Sequence, residues 1–225
     1  MGALDTFDTT GFCALHGVVP PSLCDRLCLT LSAALPNSAG SRALLAQPDC
    51  RELVVTIKNH PEVRPLLSSC PVAVQCTLFD KTPEKNWLVS LHQDLSIPVR
   101  VRIESERCGA WSQKEGQWFV QPPDEVLNRL VAVRVHLDAS TSESGPLRVV
   151  PGSHRFGRLT VSEADTHRKV LGEAVVESPR GGALVMRPLL LHASSKATSP
   201  TRRRVLHFLF GPANLPLGLE WAATV

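Results

Sequence analysis

The sequence predicts a mainly β fold, a sandwich or jelly roll with helices packed outside its N-terminal end. Three observations carry that expectation. From Val72 onward, short apolar runs rich in Val, Leu and Ile recur between clusters of Pro, Gly and Ser. One run, 130–138, sets Val131, Val133, Val135 and Leu137 against Arg134, His136 and Asp138, the alternation of a strand with one apolar face. Before Val72 the period changes: Leu23, Leu27, Leu31 and Leu35 recur at every fourth position, as on one face of a helix.

Taken in order, Gly11 to Val19 alternates loosely and stops at Pro20-Pro21-Ser22. An amphipathic helix is expected over 22–35, with Ser22 and Asp25 as its capping start. A less regular helical region covers about 50–68, interrupted near Pro61. Strands are expected over 72–81, 87–95, 130–138, 147–150, 183–192 and 203–210. The segment 96–122 holds Arg100, Arg102, Glu104, Glu106, Arg107, Trp111 and Trp118 with little periodicity, and reads as a long excursion between strands. Long loops on a rigid sandwich often carry function. Arg100 or Arg102 would attract an anionic group of a substrate there, and Trp111 or Trp118 would shield its cavity.

Composition narrows the classes of function. The chain is 43% hydrophobic and 20% charged, ordinary for a soluble globular protein. A net charge of +3 is too small to argue for nucleic acid or an anionic membrane as partner. No stretch approaches the roughly 18 apolar residues of a spanning helix. The opening MGALDTFDTTGF lacks a basic segment followed by an apolar one, so no secretory signal is expected. Seven cysteines, an odd count with no zinc spacing, fit free thiols in a reducing cytoplasm. The expected partner is a small-molecule substrate; no pattern specifies an oligomeric state.

Chemistry concentrates in four places. His92-Gln93-Asp94 interrupts an apolar stretch, and on a strand the imidazole and carboxylate project to the same side. A divalent ion held there needs a third ligand from elsewhere; two histidines and one carboxylate on one face of an octahedron are the arrangement of non-haem Fe(II) oxygenases, while the motif alone also fits a half-exposed strand with no metal. His192 ends the apolar run GALVMRPLLL. Arg202-Arg203-Arg204 heads another apolar strand, and ESGPLRVVPGSHRFGRL over 143–159 lies between the two histidines.

With these residues the sequence resembles the phytanoyl-CoA dioxygenase family of Fe(II)- and 2-oxoglutarate-dependent oxygenases, from about Gly11 to Pro212. The carriers are His92-Gln93-Asp94, the SGPLRVVPGSH block at 144–154, His192 and the arginine downstream. The resemblance implies a double-stranded β-helix, a cupin-like jelly roll, with flanking N-terminal α-helices. It implies one dioxygenase domain over 1–225, helical over about 1–70 and jelly-roll over about 71–212. It implies Fe(II), 2-oxoglutarate as cosubstrate and O2, with hydroxylation of a small molecule and release of succinate and CO2.

Residue by residue, His92, Asp94 and His192 match the iron ligands, and so the catalytic centre. Arg203, eleven residues beyond His192, matches the arginine that holds the distal carboxylate of the cosubstrate. A buried dicarboxylate calls for such a bidentate, permanently charged fork. Arg202 and Arg204 turn to the opposite face, solvated or paired. Ser194 matches a position that hydrogen-bonds the same carboxylate. Gln75 and Lys81 share one face of the strand 72–81, at positions similar to ones that reach the cosubstrate, although a strand-edge lysine is ordinarily solvated. Asp94 favours oxygen transfer, because halogenating relatives lack that carboxylate. The chain departs from the family at Leu91, where a tryptophan often stands, and it contains no tyrosine.

His154 is expected to serve a turn; His136 and His207 lie on strands, where they either line the cavity or, as the better reading, are satisfied structural histidines. Two other classes stay open. A non-catalytic jelly roll that binds metal or 2-oxoglutarate as a sensor would have no physical reason to keep all three ligands and Arg203. A nucleic-acid module built on Arg202-Arg203-Arg204 would need more charge and more stacking aromatics than the chain carries.

Overall fold

The computed structural model describes residues 2–34 and 41–225. The chain begins with α1 (Ala3–Thr10), which the sequence pattern does not announce because Phe7 is its single buried residue. Asp5 accepts the Gly2 N–H at 3.1 Å, and Gly11, at φ 85°, ends the helix. β1 (Phe12–Leu15) and α2 (Pro21–Ala34) follow. Ser22 sits inside α2 and does not cap it. Pro21 opens the helix, where a fixed φ is an advantage and a missing N–H is no loss. Leu23, Leu27 and Leu31 form the buried stripe; Leu35, the fourth leucine of that pattern, lies outside the described residues. α3 (Pro48–Asn59) buries Cys50, Leu53, Val54 and Ile57, and the chain breaks at Pro61 before a single 3-10 turn at Arg64–Leu66. All seven cysteines are free.

The remainder is mainly β: β2 (Pro71–Lys81), β3 (Val89–His92), β4 (Ile97–Val99), β5 (Gly109–Lys114) and β6 (Gln117–Gln121). After a short α4 (Asp124–Leu127) come β7 (Val131–His136), β8 (Leu147–Val149), α5 (Val161–Leu171), β9 (Ala174–Val176), β10 (Ala183–Met186), β11 (His192–Ser194) and β12 (Arg203–Pro212). One antiparallel sheet has the order β1-β10-β7-β12-β2, and a second has β3-β11-β8-β9. With them the chain forms a cupin-like jelly roll flanked by N-terminal helices. Among the described residues no helix is long and apolar enough to cross a membrane.

Two expectations need correction. The segment 96–122 is no loose excursion: β4, β6 and β5 pair into a third antiparallel sheet. Its strands are short, and the charges that hid them cluster in the 100–107 connection. Glu115 and Gly116, both at positive φ, form the two-residue turn that joins β5 to β6. The run 183–192 is also two strands in two different sheets, not one. Pro188 removes a ladder donor, and Leu190 N–H closes a turn onto the Arg187 carbonyl, so the chain crosses from β10 to β11 there.

The large sheet has a helix side and an inner side, set by alternation. Leu206, Phe208 and Phe210 of β12, with Val131, Val133 and Val135 of β7, join the core built on α2 and α3. Arg203 and His207 of β12, Arg134 of β7, and Gln75, Thr77, Phe79 and Lys81 of β2 face inward instead and line a cavity.

Candidate metal centre

β3 and β11 run antiparallel with His92 directly opposite His192, so residues from distant parts of the sequence become neighbours. Their rings lie 4.2 Å apart, centroid to centroid. Asp94 follows β3 and is pinned by its N–H to the Pro188 carbonyl at 2.9 Å. Asp94 lies 3.8 Å from His92 Nε2 through Oδ1 and 3.7 Å from His192 Nε2 through Oδ2. One donor atom from each of the three residues falls within 4.8 Å of the others.

The hydrogen bonds around the rings say which nitrogens are free. His92 Nδ1 donates to the Ser90 carbonyl at 2.8 Å and His192 Nδ1 to the Leu190 carbonyl at 2.9 Å. A carbonyl can only accept, so both protons sit on Nδ1 and both Nε2 lone pairs face Asp94. Burial lowers His192 to about 4, which keeps that ring neutral near pH 7. Among the described residues Asp94 Oδ2 is buried without a hydrogen-bond partner. Burial raises the Asp94 carboxyl, but His192, His207, His92 and Arg134 outweigh it and hold it below the usual carboxylate range. Two free imidazole lone pairs and an orphaned carboxylate oxygen converging on one point are a donor set that fits a divalent ion.

The surrounding turns hold this geometry. Gln93 points away from the ligands and is buried; its amide donates to the Gly157 and Leu189 carbonyls at 2.8 and 2.7 Å and accepts from Leu159 N–H at 2.9 Å. Ser153 Oγ accepts from Leu191 N–H at 2.9 Å, next to His192. Gly145, at φ 65°, has no room for a side chain: a Cβ there would lie 2.5 Å from the Ser195 carbonyl oxygen. The GPLRVVPGSH block therefore pairs with β11 along one side and meets the chain at both of its ends, opposite β3. His154 serves no hydrogen-bonded turn through Nδ1, which has no partner among the described residues; that ring covers Gly11 instead.

A cavity of about 380 Å³ opens from the triad. Arg203 lies opposite Lys81 in the β12–β2 register, and both side chains are buried. Lys81 is covered although β2 is an edge strand, because Trp87 lies over it, 5.5 Å from Nζ to ring centroid. Its Nζ donates to the Ser195 carbonyl at 2.6 Å and to Ser194 Oγ at 3.4 Å. Burial, with Arg203 and Arg134, lowers Lys81 to about 8. Arg203 Nε is buried without a partner among the described residues. Gln75 also lines the cavity, with its amide donating to Thr77 Oγ1 at 2.9 Å. By contrast Arg202 and Arg204 form two-point pairs with Asp80 and Asp138 on the other side.

One cavity residue, Arg134, escaped the sequence reading, and His207 lines the cavity beside it. Arg134 is buried and donates through Nη1 to His207 Nδ1 at 2.9 Å. His207 Nε2 in turn faces Asp94 Oδ2 at 3.8 Å. The signal was present, since alternation along β12 puts His207 on the Arg203 face. His136 is buried with neither ring nitrogen partnered among the described residues, so it is not the satisfied histidine expected. Arg100, Arg102, Trp111 and Trp118 are not among the residues lining the cavity. Arg100 pairs with Glu220 at 2.6 Å, Arg102 lies over Trp111, and Trp111 meets Trp118 edge-on, both half-buried on the small sheet and packed against its core. From the same segment Ser96, Ile97, Lys114 and Phe119 line the cavity.

The family model for phytanoyl-CoA dioxygenase (PhyH) matches residues 7–205. Among solved structures, HygX from Streptomyces hygroscopicus with iron bound has a TM-score of 0.66 at 20% identity, over 93% of this chain and 85% of HygX. EctD from S. alaskensis with 2-oxoglutarate and 5-hydroxyectoine has a TM-score of 0.70 at 17% identity, over 93% of this chain and 74% of EctD. SnoN, a non-heme alpha ketoglutarate dependent epimerase from nogalamycin biosynthesis, has a TM-score of 0.70 at 13% identity, over 94% of this chain and 80% of SnoN. At these identities the likeness is one of fold. The comparison with curated proteins returns no match.

Proposed function

The chain belongs to the phytanoyl-CoA dioxygenase family, and on that premise we propose that it is an Fe(II)- and 2-oxoglutarate-dependent dioxygenase that hydroxylates a small molecule, with release of succinate and CO2. The observation that carries the reading is the convergence of two free Nε2 lone pairs and an orphaned Asp94 oxygen beside a buried arginine with an unpartnered Nε. His92, Asp94 and His192 would hold the iron. Arg203 would clamp the distal carboxylate of the keto acid, with Ser194, Lys81 and Gln75 beside it. Like charges directly opposite on a sheet are destabilising; a carboxylate between Lys81 and Arg203 would relieve that pair. Bound in this site, ferrous iron supplies the oxygen chemistry that couples decarboxylation of 2-oxoglutarate to oxidation of a C–H bond. Leu95, Ile97, Phe119, Leu130 and Leu209 line the rest of the cavity and exclude water from the reacting atoms. Asp94 would hold the iron through a carboxylate that halogenating relatives lack, which favours transfer of oxygen to carbon.

The test is restoration. Protein stripped of metal should consume no 2-oxoglutarate, and Fe(II) with ascorbate should restore slow succinate release that a substrate accelerates. Zinc should bind and inhibit, having no redox chemistry. Undiminished turnover under a strong chelator would end the reading.

A further inference from the structure

Resting on the reading of this site as an iron and 2-oxoglutarate centre, we propose that the substrate carries an oxyanion, a carboxylate or phosphate group, received at the cavity mouth by Lys114. The argument begins with charge. Among the described residues the cavity is lined by Arg42, Lys81, Lys114, Arg134 and Arg203, against Asp94 as its one acid. Among the described residues none of Lys81, Lys114, Arg134 and Arg203 has a carboxylate partner. A ferrous ion with Lys81, Arg134 and Arg203 brings five positive charges, and Asp94 with a dicarboxylate cosubstrate returns three negative ones. Two positive charges remain, Lys114 not counted, in a partly enclosed cavity where unpaired buried charge is costly. A cationic substrate would add to that excess; an anionic one neutralises it.

Geometry then selects Lys114. It ends β5 and is half-buried, with Nζ 5.1 Å from the centroid of the Phe119 ring on the neighbouring strand. The nearest acid in the chain, Glu115, is already engaged: it accepts from Ser41 Oγ and Arg42 N–H at 3.0 Å each and pairs with Arg42 Nη1 at 3.4 Å. That network neutralises Arg42 and leaves half-buried Lys114 without an acidic partner among the described residues. Phe79, Trp87, Phe119, Leu95 and Leu130 line the same cavity as Lys114 and the triad, which suits a short apolar body. A volume of about 380 Å³ restricts the occupant to a small molecule.

Wild-type protein loaded anaerobically with Fe(II) and saturating 2-oxoglutarate should show the visible charge-transfer band of the chelate. It is then titrated with butyl phosphate, hexanoate, hexanol and hexylamine. One or both oxyanion probes should shift the band saturably, and the lower half-saturation names the preferred group; hexanol and hexylamine should not. Lys114→Gln should weaken the oxyanion response by about tenfold, the loss of one charge-assisted contact, and Lys114→Arg should restore most of it. A response to hexylamine or hexanol as strong as to the oxyanions overturns the proposal, as does no response to any probe. Loss of the band, showing that the anion displaces 2-oxoglutarate, overturns it too. A wild-type protein that never forms the band overturns the iron and 2-oxoglutarate reading, and this proposal falls with it.

Discussion

Arg134 donates to Nδ1 of His207 at 2.9 Å, and this contact separates His207 from the two other histidines around Asp94. A guanidinium can only donate, so His207 accepts on Nδ1 and carries its proton on Nε2, toward Asp94. Burial and Arg134 lower His207 to about 3, so the ring stays neutral. His92 and His192 have the opposite tautomer. We therefore expect Ni(II) to raise the melting temperature of the wild type and of His207→Ala. His92→Ala and His192→Ala should show no such rise. A metal-induced rise retained in His192→Ala and lost in His207→Ala would reverse the ligand assignment.

Gln93 lies between two proposed ligands yet touches neither, and its amide ties β3 to residues 157–159 and 189. Gln93→Leu should lower stability by roughly 2–4 kcal/mol, since three hydrogen bonds go and buried carbonyls are left unmet. Nickel affinity should fall as well, although every donor atom remains. Calorimetric titration of the folded variant measures this directly; wild-type affinity would show that the amide network does not position the donors.

The arginine triplet divides by face. Arg203→Met should raise the apparent KM for 2-oxoglutarate by a factor of tens to thousands, from losing roughly 2–5 kcal/mol of a buried charge-assisted pair. Arg203→Lys should recover part of this, an ammonium being unable to supply the planar fork. Arg202→Met should instead cost stability, because it strands the buried Asp80 carboxylate, while KM stays near the wild-type value. A KM effect confined to Arg202→Met would mean that the carboxylate seat lies on the other face.

Lys81 should give 2-oxoglutarate binding a pH dependence. In the free protein it titrates at about 8, lowered by burial and by Arg203 and Arg134. Below that value it is charged and attracts the carboxylate; above it the charge is lost, so the dissociation constant should rise with pH. Arg203, lowered by burial to about 10, stays charged through that window. Lys81→Met should bind more weakly and flatten the profile. The same shift affects stability with the opposite sign. The unfolded chain holds the proton up to about 10.5, so between about 8 and 10.5 this group's contribution to stability grows as pH rises.

What could be read from the chain alone was whatever repeats locally. Strand alternation placed Arg203 on the face opposite Arg202 and Arg204, and the leucine stripe of α2 was visible in its four-residue spacing. The same alternation put Gln75 with Lys81 on one face of β2, but the strand expected over 87–95 ends at His92, and Asp94 reaches the site from the turn that its N–H makes with the Pro188 carbonyl. Three-dimensional structure decided the rest. Nothing local says that β3 pairs with β11 with His92 against His192, because strand pairing joins segments far apart in sequence. Ring tautomers follow from the partner of Nδ1, a backbone carbonyl in two cases and an arginine in the third, and no spacing rule contains that choice. The β4–β6–β5 sheet was hidden because three short strands give too few apolar positions to show a period among charges. Lys81 was a candidate for the cosubstrate from its strand face, but edge lysines are ordinarily solvated, and only the structure shows Trp87 and the Ser195 carbonyl closing over it. Periodicity is carried by neighbours along the chain; burial, pairing and protonation are set by neighbours in space.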